Sequence, residues 1–164
     1  MNTPSLPTMA SQLKSVQQLI QTAKFNQAIK QAEQLQQQTT DTEQQVELWY
    51  LTAVAQRYEK SFSQAFISIQ ELFKLNSSHS RAYQEQGYIN LALKQSTAAK
   101  TSFEQAIQLN PSLVASWQEL IQLYREAKQM DEVQKAANHL AKLKQLPPAL
   151  LAVTELMHEG KLLK

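Results

Sequence analysis

Three histidines, His79, His139 and His158, are the side chains in this 164-residue sequence best suited to ligate a metal or move a proton at neutral pH. A zinc-hydrolase site would need two of them one helical turn apart around a glutamate, and no such pair occurs. His139 falls beside the apolar face of its helix, which predicts a packed or half-exposed ring. His158 and Glu159 are sequence neighbours and so point in different directions on a helix. Asp131 and Glu132 pair two carboxylates, but at a predicted helix start, where negative charge complements the helix dipole. The chain has no cysteine, which removes thiolate chemistry, disulfides and most structural zinc designs. With two glycines in all, it has no glycine-rich loop to cradle phosphate. The reading for this segment is no catalysis, no cofactor and no metal.

The elements that would hold any binding surface are helical. Ala, Leu, Gln and Lys are good helix formers, and two glycines and five prolines leave few breaks. Hydrophobic residues make up 43% and charged ones 18%, with glutamine supplying the missing polarity. A net charge of +2, evenly spread, is too mild for a nucleic-acid footprint. The N-terminus lacks the basic start and apolar run of a secretory signal. No stretch reaches the roughly 20 apolar residues that span a bilayer. The expectation is a cytoplasmic protein with neither nucleic-acid nor membrane partners.

A period runs through the chain. Trp49, Tyr83 and Trp117 are 34 residues apart at each step, and Gly87 and Ile121 keep that interval. Ala28, Ala32 and Leu35 recur as Ala65, Ile69 and Leu72, then as Ala99, Phe103 and Ala106, then as Val133, Ala137 and Leu140. Steps of four and three put each set on one helical face. Short polar breaks followed by an apolar residue, around Phe25, Phe62, Thr97 and Met130, divide each unit into two helices. The predicted helices are 9–23, 25–38, 44–59, 61–74, 79–93, 95–109, 112–127, 129–144 and 148–159. Thr42, with Gln45 completing a capping box, and Ser112 after Pro111 are the expected helix starts.

Trp117, Leu120 and Tyr124, together with Gly87 and the spacing of Ala99, Phe103 and Pro111, make the chain resemble the tetratricopeptide repeat (TPR) family. The resemblance is strongest from Val46 to Leu143. It implies an all-α fold, an α-α superhelix or TPR solenoid of about four hairpins plus an incomplete fifth. Residues 1–8 are expected to be a disordered N-terminus and 9–164 a single domain, with hairpins at 9–38, 44–74, 79–109 and 112–144 and a partial one at 147–164. Small residues such as Ala53, Gly87, Ala65 and Ala99 let paired helices approach, while Trp49, Phe103, Trp117 and Tyr124 fill the space between hairpins. No hairpin can bury its apolar face alone, so stacking supplies the core.

In this family the first helix of each hairpin lines a concave groove that takes a protein segment. The matching positions are Tyr50, Val54, Arg57 and Tyr58, then Arg81, Gln84, Tyr88 and Leu91, then Gln118, Gln122 and Arg125. Arginines there suit a carboxylate-bearing, extended ligand. The family's clamp for chaperone tails uses lysine and asparagine on the first groove helices and further basic residues on the third, where this chain has Leu13 and Gln17, then Tyr50 and Val54, then Gln84 and Tyr88, so that partner is not expected. The implied function is a non-catalytic protein-interaction scaffold binding a peptide or protein.

The C-terminal residues LPPALLAVTELMHEGKLLK also look like the repeat segments ahead of the catalytic domain in some bacterial sulfotransferases, which makes an enzyme parent the alternative. Leu162 falls where Phe25, Phe62 and Met130 fall, so ELMHEGKLLK reads as the turn and opening of a fifth hairpin cut within a repeat. An array ending without a polar cap also invites self-association through its last hairpin.

Overall fold

The computed structural model describes residues 5–145, which form eight helices and no strand. They are α1 (Met9–Gln21), α2 (Phe25–Gln38), α3 (Thr42–Tyr58), α4 (Phe62–Leu75), α5 (Ser80–Ala92), α6 (Ser96–Leu109), α7 (Val114–Glu126) and α8 (Met130–Lys144). Consecutive helices pair as hairpins. The chain divides between Asn76 and Ser77 into two compact units, with α1–α4 in the first and α5–α8 in the second. The expected ninth helix at 148–159, the partial hairpin and His158 lie outside the described residues.

Within each hairpin the first helix stops at a left-handed residue. Ala23, Lys60, Lys94 and Lys128 have φ of 57°, 64°, 59° and 59°. At Lys94 the amide donates to the Leu91 carbonyl at 2.9 Å and the next amide, Gln95, to Asn90 at 2.8 Å. The same two bonds recur around Ala23, Lys60 and Lys128. This is the Schellman ending, which satisfies carbonyls that the helix leaves free. It explains why the helices predicted to run to 23, 59, 93 and 127 end one or two residues sooner. An L-residue pays about 1 kcal/mol or more in this conformation, and glycine does not. Lys94→Gly is therefore expected to raise stability by about 1 kcal/mol, a few degrees in a thermal melt of the intact chain.

Two expected helix starts are corrected. The cap of α3 is Asp41, whose carboxylate accepts from the Gln44 amide at 2.9 Å, and Thr42 is the first helical residue. Asp41 sits one position earlier in extended backbone and brings a charge that suits the helix dipole. Gln45 donates from its side chain to the Thr39 carbonyl at 3.1 Å and forms no capping box. α7 begins at Val114, because Ser112 is buried in the preceding turn with its amide bonded to Asn110 Oδ1 at 3.0 Å.

In the first unit Ala28, Ala32 and Leu35 of α2 pack with Val16 of α1 and with Leu48, Leu51 and Ala55 of α3. Ala65, Ile69 and Leu72 line the buried face of α4. In the second unit Ala99 and Phe103 of α6 pack with Leu120, Leu123 and Tyr124 of α7 and Ala136 of α8. The repeating face is thus buried in the first three hairpins. In α8 the buried set is Ala136, Leu140 and Leu143, while Val133 and Ala137 are half-buried. Among the described elements α8 packs mainly on α7.

Gly87 and Phe103 form the closest fit. Phe103 is fully buried, and a Cβ added at Gly87 would stand 2.6, 2.7 and 2.8 Å from its Cζ, Cε1 and Cδ1. The glycine predicted to allow close approach is therefore where α5 meets the ring of α6. Among the described helices none is long and apolar enough to cross a membrane.

Candidate functional site

The residues expected to face a ligand lie on the first helices of the hairpins, α3, α5 and α7. In the first unit, Tyr50, Val54 and Arg57 are half-buried on α3 and Tyr58 is exposed at its end. The Tyr58 ring stacks on Phe25 of α2 with centroids 5.4 Å apart and planes 9° from parallel. The Arg57 guanidinium lies 4.4 Å from the Tyr58 centroid, within cation–π range. Tyr58 is thereby held in an internal stack. Arg57 and Tyr50 also have further partners within the protein.

In the second unit the expected residues separate into two kinds. Arg81, Gln84, Tyr88 and Leu91 of α5 are half-buried. Gln84 accepts a 2.7 Å bond from the hydroxyl of Ser116, a fully buried residue of α7, so its amide ties the two first helices together. Tyr88 meets the edge of Phe103 with centroids 5.3 Å apart, and Leu91 packs on the same core. Arg81 has partners of its own. Gln118, Gln122 and Arg125 of α7 are all exposed, and positions four and three apart put them in one row on the helix. Arg125 Nη1 donates to Gln122 Oε1 at 3.3 Å, and Gln122 Nε2 to Glu126 Oε1 at 2.9 Å. The row presents amide donors and acceptors beside one guanidinium.

Side-chain contacts of Trp117 and Tyr124 fix α7 beneath that row. Trp117 Nε1 donates to the Pro111 carbonyl at 2.8 Å, and His139 Nε2 approaches the same oxygen at 3.1 Å. The two rings also pack against each other, 4.2 Å between centroids with planes tilted by 30°. His139 is half-buried and serves packing, as its place beside an apolar face suggested. The Tyr124 hydroxyl donates to Glu104 of α6 at 2.9 Å, and burial followed by that carboxylate pushes its pKa well up. His79 is the cap of α5, with Nδ1 accepting from the Ala82 amide at 3.0 Å. Asp131 and Glu132 lie in the first turn of α8, with Glu132 paired to Lys135 at 3.1 Å. Among the described residues no group of three His, Cys, Asp or Glu side chains could hold a metal ion.

The sequence reading missed the buried polar ties. Ser68 donates to Gln56 Oε1 at 2.6 Å, and Asn90 donates to Ser102 Oγ at 3.3 Å. Gln56 and Asn90 are one period apart, as are Ser68 and Ser102, so the 34-residue interval held the signal.

Neither a family model nor a curated protein sequence matches the chain. Solved structures do. A crystal structure of MamA superposes with a TM-score of 0.71 at 19% identity, covering 84% of this chain and 79% of that one. A second MamA structure gives 0.68 at 19%, covering 84% and 74%. MamA 41–end from Desulfovibrio magneticus RS-1 gives 0.63 at 15%, covering 85% and 75%. The likeness is one of fold: this chain has the TPR-like all-α helical-repeat fold that the resemblance implied. The sulfotransferase parent finds no support in these matches.

Proposed function

We propose that this chain is a non-catalytic scaffold that receives a protein or peptide segment on the first helices of its hairpins. The observation that carries the reading is the exposed row Gln118, Gln122 and Arg125 on α7. Glutamine amides can donate to and accept from an extended backbone, and the Arg125 guanidinium can take a carboxylate through two parallel hydrogen bonds. Gln122 already contacts Arg125 and limits the freedom that binding would remove. The fold shared with MamA structures supports a repeat scaffold in general. The half-buried α3 and α5 residues serve this role less directly, since Gln84, Tyr88 and Tyr58 are engaged in packing.

A photo-crosslinking residue placed at Gln118 tests the assignment in cells expressing the intact chain. It is expected to capture a discrete polypeptide that the same residue at Lys135, on the exposed side of α8, does not capture. Equal capture at both positions, or at neither, would remove α7 from the binding surface.

A further inference from the structure

We propose that a cavity between the start of α6 and the end of α7 receives the side chain of a tyrosine or tryptophan, carried by the polypeptide that the α7 row binds. This occupant presupposes the scaffold role proposed above and specifies what the partner must present. The cavity measures about 300 Å³ and is lined by residues of both helices. Ser96 and Thr97 on one side and Glu126 and Ala127 on the other are exposed, so a ligand can reach it. A single ring needs less room, since an apolar cavity of roughly 150 Å³ holds benzene.

The first unit shows what the repeat puts in the corresponding place. There α2 packs on α3, as α6 packs on α7 in the second unit. Phe25 opens α2, and its ring stacks on Tyr58 at the end of α3, with the Arg57 guanidinium 4.4 Å from the Tyr58 centroid. Two periods after Arg57 and Tyr58 stand Arg125 and Glu126, and the residue that opens α6 is Ser96. The second unit keeps the arginine and has neither ring. Phe62 and Met130 open α4 and α8, so Ser96 is the small exception among the second helices described. The cavity lined by Ser96 and Glu126 thus stands where the first unit stacks two aromatic side chains.

Its walls suit a ring with a polar tip. Leu123, which is buried, and the Ala127 methyl supply apolar lining. Lys100 Nζ donates to Gln129 Oε1 at 2.9 Å, which anchors the amine at the start of α8, and its methylene stem can cover a ring face. Glu126 is the one carboxylate in the lining, an acceptor with room for more than the 2.9 Å bond it takes from Gln122. A tyrosine O–H or a tryptophan N–H can donate to it, and a phenylalanine cannot. The Gln122 bond also joins the cavity wall to the α7 row. Arg125 stands next to Glu126, so a short segment can set a carboxylate on the guanidinium and an aromatic ring in the cavity beside it.

The test is titration of p-cresol, the tyrosine side chain as a free molecule, into the intact chain with labelled Leu and Ala methyl groups, followed by NMR. The Leu123 and Ala127 methyl signals are expected to shift saturably in the millimolar range. Toluene, which lacks the hydroxyl, should bind at least about threefold more weakly, the factor that one hydrogen bond of modest net strength confers. Glu126→Ala should abolish that difference. Ser96→Phe should abolish the shifts at an undiminished melting temperature, because phenylalanine opens α2 and α4 in the same fold. No saturable shift at Leu123 and Ala127, equal binding of toluene, or p-cresol shifts that survive Ser96→Phe would overturn the assignment. Crosslinking from Gln118 separates this result from the scaffold role. Selective capture without p-cresol shifts removes the cavity and keeps the α7 row, whereas shifts without capture remove the polypeptide as carrier of the ring.

Discussion

Phe103→Ala is expected to lower the free energy of unfolding by about 3–5 kcal/mol, the cost of a fully buried aromatic ring whose site cannot collapse. The ring is enclosed by Gly87 and Tyr88 of α5 on one side and by the Leu120–Tyr124 face of α7 on the other. Removing it strips the packing that links α5, α6 and α7. Urea denaturation of the variant should show an earlier midpoint with an unchanged slope. A loss below about 1 kcal/mol would mean that the neighbouring helices close the gap, contrary to the rigid fit inferred here.

The second large effect is the reverse change across the same contact. Gly87→Val is expected to destabilise by about 3 kcal/mol, because the first carbon added already lies under 3 Å from three ring atoms. The ring cannot move away, since Phe103 is fully buried. The gain in helix propensity from replacing glycine is about 1 kcal/mol at most for the best residue and smaller for valine, so overpacking wins. The two sites should couple strongly. In the double variant Gly87→Val with Phe103→Ala, the valine enters the space the ring vacates, and the combined loss should be well below the sum of the two single losses. Additive losses measured by denaturation would show that the two residues do not share this space.

That contact also shows how much was legible from residues alone. Gly87 was readable because a glycine inside a helical pattern, one period from Ala53 and Ile121, needs a packing reason. The interior faces of α2, α4 and α6 were readable because burial repeats with the helical period. The face of α8 was not, because its buried set depends on which neighbour covers it. The ends of the first helices were harder for a local reason: left-handed lysines at 60, 94 and 128 carry no glycine to announce the turn. Asp41 was passed over for Thr42 because either can cap, and only the backbone angles decide between them. The binding surface was legible by position but not by availability. Gln84 and Gln118 look alike in sequence, yet one is bonded to Ser116 and the other faces solvent.

The central claim is that the α7 row receives a polypeptide through Arg125. Its most direct test is the affinity of the intact chain for peptides selected from a displayed random library, compared with that of the Arg125→Glu variant by titration calorimetry. Selected peptides are expected to carry an acidic side chain or a free C-terminal carboxylate. Arg125→Glu should weaken them at least about tenfold, or roughly 1.4 kcal/mol, with an unchanged melting temperature. Affinity that survives Arg125→Glu in a folded variant would contradict the account.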